Sequence, residues 1–311
     1  MDVPKLYAIL SENWTMTDPR DLRGFVDHAT VLEDAGFTGV MLGEHVTMGP
    51  NSDHLGAPEN PRDWLKSGNQ PSDYPHPSGL HVLAAMAAVT SRLQLLAGAV
   101  LTPLRHPLAL AKDLATIDLI SRGRLTFIPG VSWQREEYEA LDVDFDARGA
   151  ILDEQLAVWK SLWTDGSPIT HHGEHYSFDS MYVEPRPHRA GGPPVWIGGR
   201  AFAPFVKRRA VAHGRGLFTI VPPSPDQLAE LREDLGRAGR DPGEFRLASF
   251  LFGPPFTGPD DLLDVDDALG AVPELVERGF DTFVLKPSQF IDDRAQLGDF
   301  CRDVRERIAR M

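Results

Sequence analysis

Cysteine is almost missing from this chain: Cys301 stands alone among 311 residues. A single thiol forms no internal disulfide and builds no cysteine-cluster metal site. Long apolar runs are missing as well. No stretch of 18 apolar residues occurs, so no helix is expected to cross a membrane. The opening MDVPKLYAIL lacks the basic start and apolar core of a signal peptide. Basic charge is scarce: 31 Lys and Arg face 45 Asp and Glu, for a net charge of −14. Such a balance argues against nucleic acid and against an anionic membrane as partners. Together these absences fit a cytoplasmic protein. Lysine is scarcer still, and the arginine bias suggests a GC-rich genome, an association rather than physics. What is present is ordinary for a globular protein, 42% hydrophobic and 24% charged. The length suits one large α/β barrel or two ordinary domains.

The stretch from Arg92 to Gly149 organises the rest. Leu93 to Leu101 is an apolar run that reads as a strand. A polar break with Pro103 and Pro107 follows. Leu110, Leu114, Ile117 and Ile120 then recur at helical spacing, and Ser121–Arg122–Gly123 stops the helix. Leu125 to Ile128 is a second strand. Strand, helix, strand is a βαβ unit with parallel strands. The same alternation runs through the chain, with strands expected near residues 6, 40, 95, 126, 196, 219, 249 and 283. Eight such units predict a single TIM (β/α)8 barrel spanning the chain, with excursions at about 46–78 and 165–192. The first excursion is rich in Pro, Gly, Asn and Asp, the mark of a functional loop or lid. The second carries alternating HYSFDSMYVEP and reads as a hairpin.

In this architecture chemistry sits where strands end. His45 follows the second strand directly, and an imidazole there can relay a proton at neutral pH. Glu44 beside it is placed to orient the ring. Gly130–Val131–Ser132 offers backbone N–H groups with little side-chain bulk, and Trp133 would cap the pocket. Gly198–Gly199–Arg200 precedes a helix, the geometry of an anion site. Trp14 follows the first strand and either lines a substrate pocket or covers the barrel mouth. Each has a plainer reading: a packed ring, a solvated acid, a tight turn. The histidine-rich THHGEH at 170–175 lies in the hairpin and is read as no metal site.

TPLRHPLALAKDLATIDLISRGRL, GVSWQREEYEAL and PPVWIGG, with GEHV at 43–46 and FVKRRAVAHGRG at 205–216, resemble the luciferase-like monooxygenase superfamily. The similarity is closest to its coenzyme F420-dependent oxidoreductase branch. The resemblance implies a TIM barrel that binds a flavin or deazaflavin across the carboxyl ends of the strands. It implies a functional histidine at His45 and a non-proline cis peptide or bulge at Ala99–Val100 behind the ring. It places the phosphate near Gly198, Gly199, Arg200 and Ala201. The expected activity is hydride transfer between reduced coenzyme F420 and a small organic substrate. The alternative is an FMN-dependent monooxygenase fed by a separate flavin reductase, and a homodimer is expected in either case. The chain departs from the family pattern at Ser132, at Gly214–Arg215–Gly216–Leu217 and at Arg200–Ala201. Those departures motivate one further alternative, a non-catalytic barrel that has lost its cofactor.

Overall fold

The computed structural model describes residues 3–63 and 68–311. Among the described residues there are ten strands: β1 (Lys5–Ile9), β2 (Gly39–Leu42), β3 (Gln94–Leu101), β4 (Leu125–Gly130), β5 (Ile169–His172), β6 (Ser177–Met181), β7 (Trp196–Gly199), β8 (Gly216–Thr219), β9 (Arg246–Phe250) and β10 (Thr282–Leu285). Eight form one parallel sheet in the order β4-β3-β2-β1-β10-β9-β8-β7. The two edges meet where Phe127 bridges Val195, and the Phe127 N–H donates to Pro194 O at 3.1 Å. The sheet therefore curls into the expected barrel. β5 and β6 pair antiparallel, forming the hairpin expected in the second excursion.

Both faces of the barrel strands are buried, which is why they read as continuous apolar runs rather than alternating ones. Tyr7, Ile9, Met41, Leu96, Ile128, Trp196, Phe218, Ala248 and Val284 fill the lumen. Leu6, Ala8, Leu95, Ala97 and Phe283 point outward to the helices. The helices form where the periodicity puts them. Residues 22–34 are capped by Asp21, whose carboxylate accepts from Gly24 N at 2.9 Å, and Gly36 at φ +80° ends the turn. The helix 107–120 starts on Pro107 and carries Leu110, Leu114 and Ile117 inward. Two short helices, 265–269 and 272–277, follow β9, with Pro273 opening the second.

The first excursion is irregular and folds over the carboxyl mouth; its residues 64–67 lie outside the described residues. Its middle is tied to the loops that follow β9 and β10. Asn60 Nδ2 donates to Gly258 O and Asp261 O, both at 2.9 Å, and Arg62 pairs with Asp292. The hairpin is fixed differently. Glu154, on the helix 148–164, accepts from His171 Nε2, His175 N and Tyr176 N, each at 2.9 Å. His171 is thus an anchoring residue of the hairpin. No helix among the described residues is long and apolar enough to cross a membrane.

Candidate active site

A cavity of about 450 Å³ opens at the carboxyl ends of the strands. Its floor is apolar, built by the lumen residues Ile9, Met41, Ile128, Phe218 and Phe250. Gly98, Gly130 and Gly198 line it, and a Cβ at any of them would come within 2.6–2.9 Å of a neighbouring side chain. The floor is therefore flat because bulk is excluded there. The Gly98–Ala99 peptide is cis, and the β3–β4 register shifts between Gly98 and Val100. Ala99 lines the cavity. Val100 points the other way, into the outer core at 2% exposure.

One wall is polar and centres on His45. Its Nδ1 lies 3.3 Å from Glu137 Oε2, while Nε2 has no partner among the described residues. Its ring meets Trp133 edge-on at 5.9 Å and His76 at 5.0 Å. The partner expected from the sequence, Glu44, is engaged elsewhere. It makes a two-point contact with Arg105 and accepts from Leu101 N at 3.1 Å, tying the end of β2 to that of β3. The expectation that Glu44 orients His45 is corrected accordingly; that contact belongs to Glu137.

Glu137 is fully buried and gathers four donors. Val46 N donates to Oε1 at 2.6 Å and Thr47 N at 3.3 Å; Ser132 Oγ reaches Oε2 at 2.9 Å beside His45. Burial pushes its pKa up, but the bonds from His45, Val46 and Ser132 outweigh burial and hold the carboxyl below its ordinary range. It is therefore an anion at neutral pH. Neighbouring Gln134 and Glu136 accept from Gly49 N at 3.0 Å and Asn51 N at 3.3 Å, so one short helix start pins the first turns of the lid. Ser132 sits at φ +55°, in the left-handed region where glycine is the easy choice, and its hydroxyl bonds compensate.

The corner expected to take an anion lies in the same cavity. Gly198, Gly199 and Arg200 line the cavity just before the helix 204–212. The Arg200 guanidinium has no partner among the described residues, whereas Arg209 nearby is held by Asp153 at 2.6 Å and Gly149 O at 2.9 Å. Ala201 is exposed and outside the lining. Trp14 is also outside it; its ring packs on Phe25 at 5.7 Å.

Beside Glu137, sequence reading also passed over Glu12, Gln70 and His76. Glu12, directly after β1 at φ +62°, lines the cavity at 7% exposure. Its Oε1 accepts from Gln70 Nε2 at 3.0 Å, and its Oε2 and Gln70 Oε1 are buried without a partner. Burial first raises the Glu12 pKa, with Lys286 and His45 pulling the other way. His76, whose Nδ1 is 3.7 Å from Glu12, is held down to about 4, by burial first and then by His45, against Glu137.

The lowered His76 pKa makes a stability prediction. Between the unfolded value near 6.5 and about 4, the unfolded chain binds a proton that folded His76 refuses, so this contribution is lost as pH falls. Its size is about 3 kcal/mol across the window. Glu12, with a raised pKa, acts in the opposite sense, so the comparison is with a variant. Urea unfolding at pH 4.5 and 7 should show a smaller loss on acidification in His76→Phe than in wild type. Equal losses would show that His76 is not the group responsible.

A family model described as luciferase-like monooxygenase matches residues 5–261. The chain belongs to that family. Pyrimidine monooxygenase RutA of Pseudomonas syringae pv. syringae is 35% identical over 167 residues, 50% of this chain and 46% of that protein. The oxygenase component of flavin-dependent trigonelline monooxygenase from Acinetobacter baylyi is 32% identical over 120 residues, 38% of this chain and 33% of that protein. The chain thus spans less than half the length of these curated relatives. Among solved structures, an F420-dependent secondary alcohol dehydrogenase in complex with an F420-acetone adduct superposes with a TM-score of 0.69. It is 15% identical and covers 97% of this chain and 98% of its own, a likeness of fold.

Proposed function

We propose that this chain is a reduced-flavin-dependent monooxygenase acting on a small organic substrate, with FMN as coenzyme. The observation that carries the reading is the division of the cavity: a flat apolar floor with the Arg200 guanidinium and His45 Nε2 on its walls, neither bonded among the described residues. A planar ring with a phosphate tail fits that layout. FMN is favoured over coenzyme F420 because the pyrimidine and trigonelline relatives, each above 30% identical over the matched stretch, are named as monooxygenases, while the F420 enzyme shares the fold alone. The trigonelline relative is an oxygenase component, so a separate flavin reductase is the partner this reading requires.

When bound, the coenzyme supplies the redox chemistry. The chain supplies position and protons. Arg200 and the backbone at Gly198–Gly199 would hold the phosphate. Glu137 fixes the His45 ring through Nδ1, leaving Nε2 to give or take a proton at the reacting substrate atom. The lid and Trp133 exclude water. Glu12 Oε2 and Gln70 Oε1 present acceptors under the lid, which suits a substrate carrying N–H or O–H donors.

The deciding experiment titrates the protein with reduced and oxidised FMN and with F420. It then supplies reduced FMN and oxygen to nitrogen heterocycles and follows oxygen incorporation. Tight F420 binding with none for FMN would replace the monooxygenase by the deazaflavin reading. Binding of neither would leave the non-catalytic barrel. Arg200→Ala should weaken FMN about tenfold or more, the worth of a bond to a charged group. Unchanged affinity, read by flavin fluorescence, would remove Arg200 from the site.

A further inference from the structure

The opposite, amino-terminal mouth of the barrel holds a larger cavity, about 890 Å³, between the starts of the strands and the segment after the hairpin. In a chain with 45 acidic and 31 basic side chains, its lining reverses the balance. Lys5, Lys160, Arg189, Arg215, Arg240 and Arg246 line it, with Glu244 as the one acid. Two of these cations are engaged. Arg240 donates to Ala210 O at 2.9 Å and Val211 O at 2.7 Å, and Arg246 pairs with Asp281 at 2.7 Å. The side chains of Lys5, Lys160, Arg189 and Arg215 have no bonded partner among the described residues. Asp118 is the acid beside Arg189, whose backbone N–H it accepts at 2.9 Å.

The second observation lies deeper. Tyr7 and Trp196 are lumen residues, each 6% exposed, and both line this cavity. Neither the Tyr7 hydroxyl nor the Trp196 indole N–H has a hydrogen-bond partner among the described residues. Burial raises the Tyr7 pKa, so its hydroxyl stays a donor. Their rings are buried, while the two polar atoms remain accessible from the cavity. Here two donors aim out of the barrel floor into a ring of uncommitted cations. Every unsatisfied group named offers a proton or positive charge, and the two deepest are reachable only by something small.

We propose that the amino-terminal mouth is a second binding site, for a small polyanion whose phosphate or carboxylate groups span Arg189, Arg215 and the Tyr7–Trp196 floor. It is independent of the reaction at the other mouth. The size of the cavity admits a doubly or triply charged metabolite and excludes the surface of a folded acidic partner from the floor. Cations on a flexible rim and neutral donors at depth let it hold the charged groups while reading shape.

The test is calorimetric titration of the full chain at low salt with inorganic pyrophosphate and, separately, citrate, beside tryptophan fluorescence to report on Trp196. Binding of at least one with Kd of about 1 mM or tighter is expected, and the tighter of the two identifies the phosphate or carboxylate source. Arg189→Glu combined with Arg215→Glu should weaken it at least about tenfold. Tyr7→Phe, which keeps the ring in the lumen, should weaken it several-fold while leaving FMN affinity unchanged. Undiminished binding in the double variant, or in Tyr7→Phe, overturns the site. So does no binding of either anion, or a response that sodium chloride reproduces at equal ionic strength, which would be screening of a basic patch.

Discussion

His45→Ala should keep coenzyme affinity and lose turnover by about 10²–10⁴-fold, the usual worth of one positioned acid–base group. The expectation rests on geometry. Nδ1 is committed to Glu137 at 3.3 Å, so the neutral ring carries its proton there and offers Nε2 as a base. Carrying a proton, the same nitrogen can act as an acid while Nδ1 stays bonded to Glu137. The side chain is 11% exposed, enough to meet a ligand without free access for water. The measurement is single-turnover reoxidation of reduced coenzyme with substrate, wild type against variant. A variant as fast as wild type would make His45 a wall residue and move the proton to Glu12 or to water.

Glu137→Ala should damage two things at once. It strips the acceptor from Val46 N, Thr47 N, Ser132 Oγ and His45, and empties a fully buried position. Unfolding stability should fall by about 3 kcal/mol or more. Turnover should fall as well, because the ring of His45 loses its orienting partner. Glu137→Gln separates the two effects. Its amide oxygen still accepts from Val46 and Thr47, so most stability returns, while the anion facing His45 is gone. The variant should therefore remain folded with turnover lowered about tenfold or more and with an altered pH profile. If Glu137→Gln matches wild type in both rate and pH profile, Glu137 serves the lid alone.

The barrel was readable because each strand is buried on both faces and each helix shows one apolar stripe, so the alternation survives in the sequence. His45 was readable for the same reason: it directly follows a recognisable strand. Glu12 obeys that rule too, directly after β1, and the rule applied evenly would have found it. Glu137 carries a weaker signal. An acid in the first turn of a helix is expected for the helix dipole alone, and nothing local says that this one faces inward to meet a loop 90 residues earlier. Glu44 misled because adjacency in sequence puts neighbours on opposite sides of an extended chain, so it turned toward Arg105 instead. His76 and Gln70 lie in an irregular segment with no periodicity to place them. Val100 and Trp14 illustrate the same limit, since a strand end or a following loop does not by itself fix which way a side chain points.

The meeting of β4 and β7 ties the integrity of the barrel to whatever occupies the cavity. Elsewhere neighbouring strands run in register over several residues, but here a single bridge, Phe127 with Val195, joins the edges among the described residues. Gly130 ends one edge and Gly198–Gly199 ends the other, and both are walls of the same cavity. A molecule lying across them acts as a rivet through a lap joint. Slow amide exchange at Phe127 would then register occupancy of a site it does not touch, because separating the edges requires releasing the rivet first.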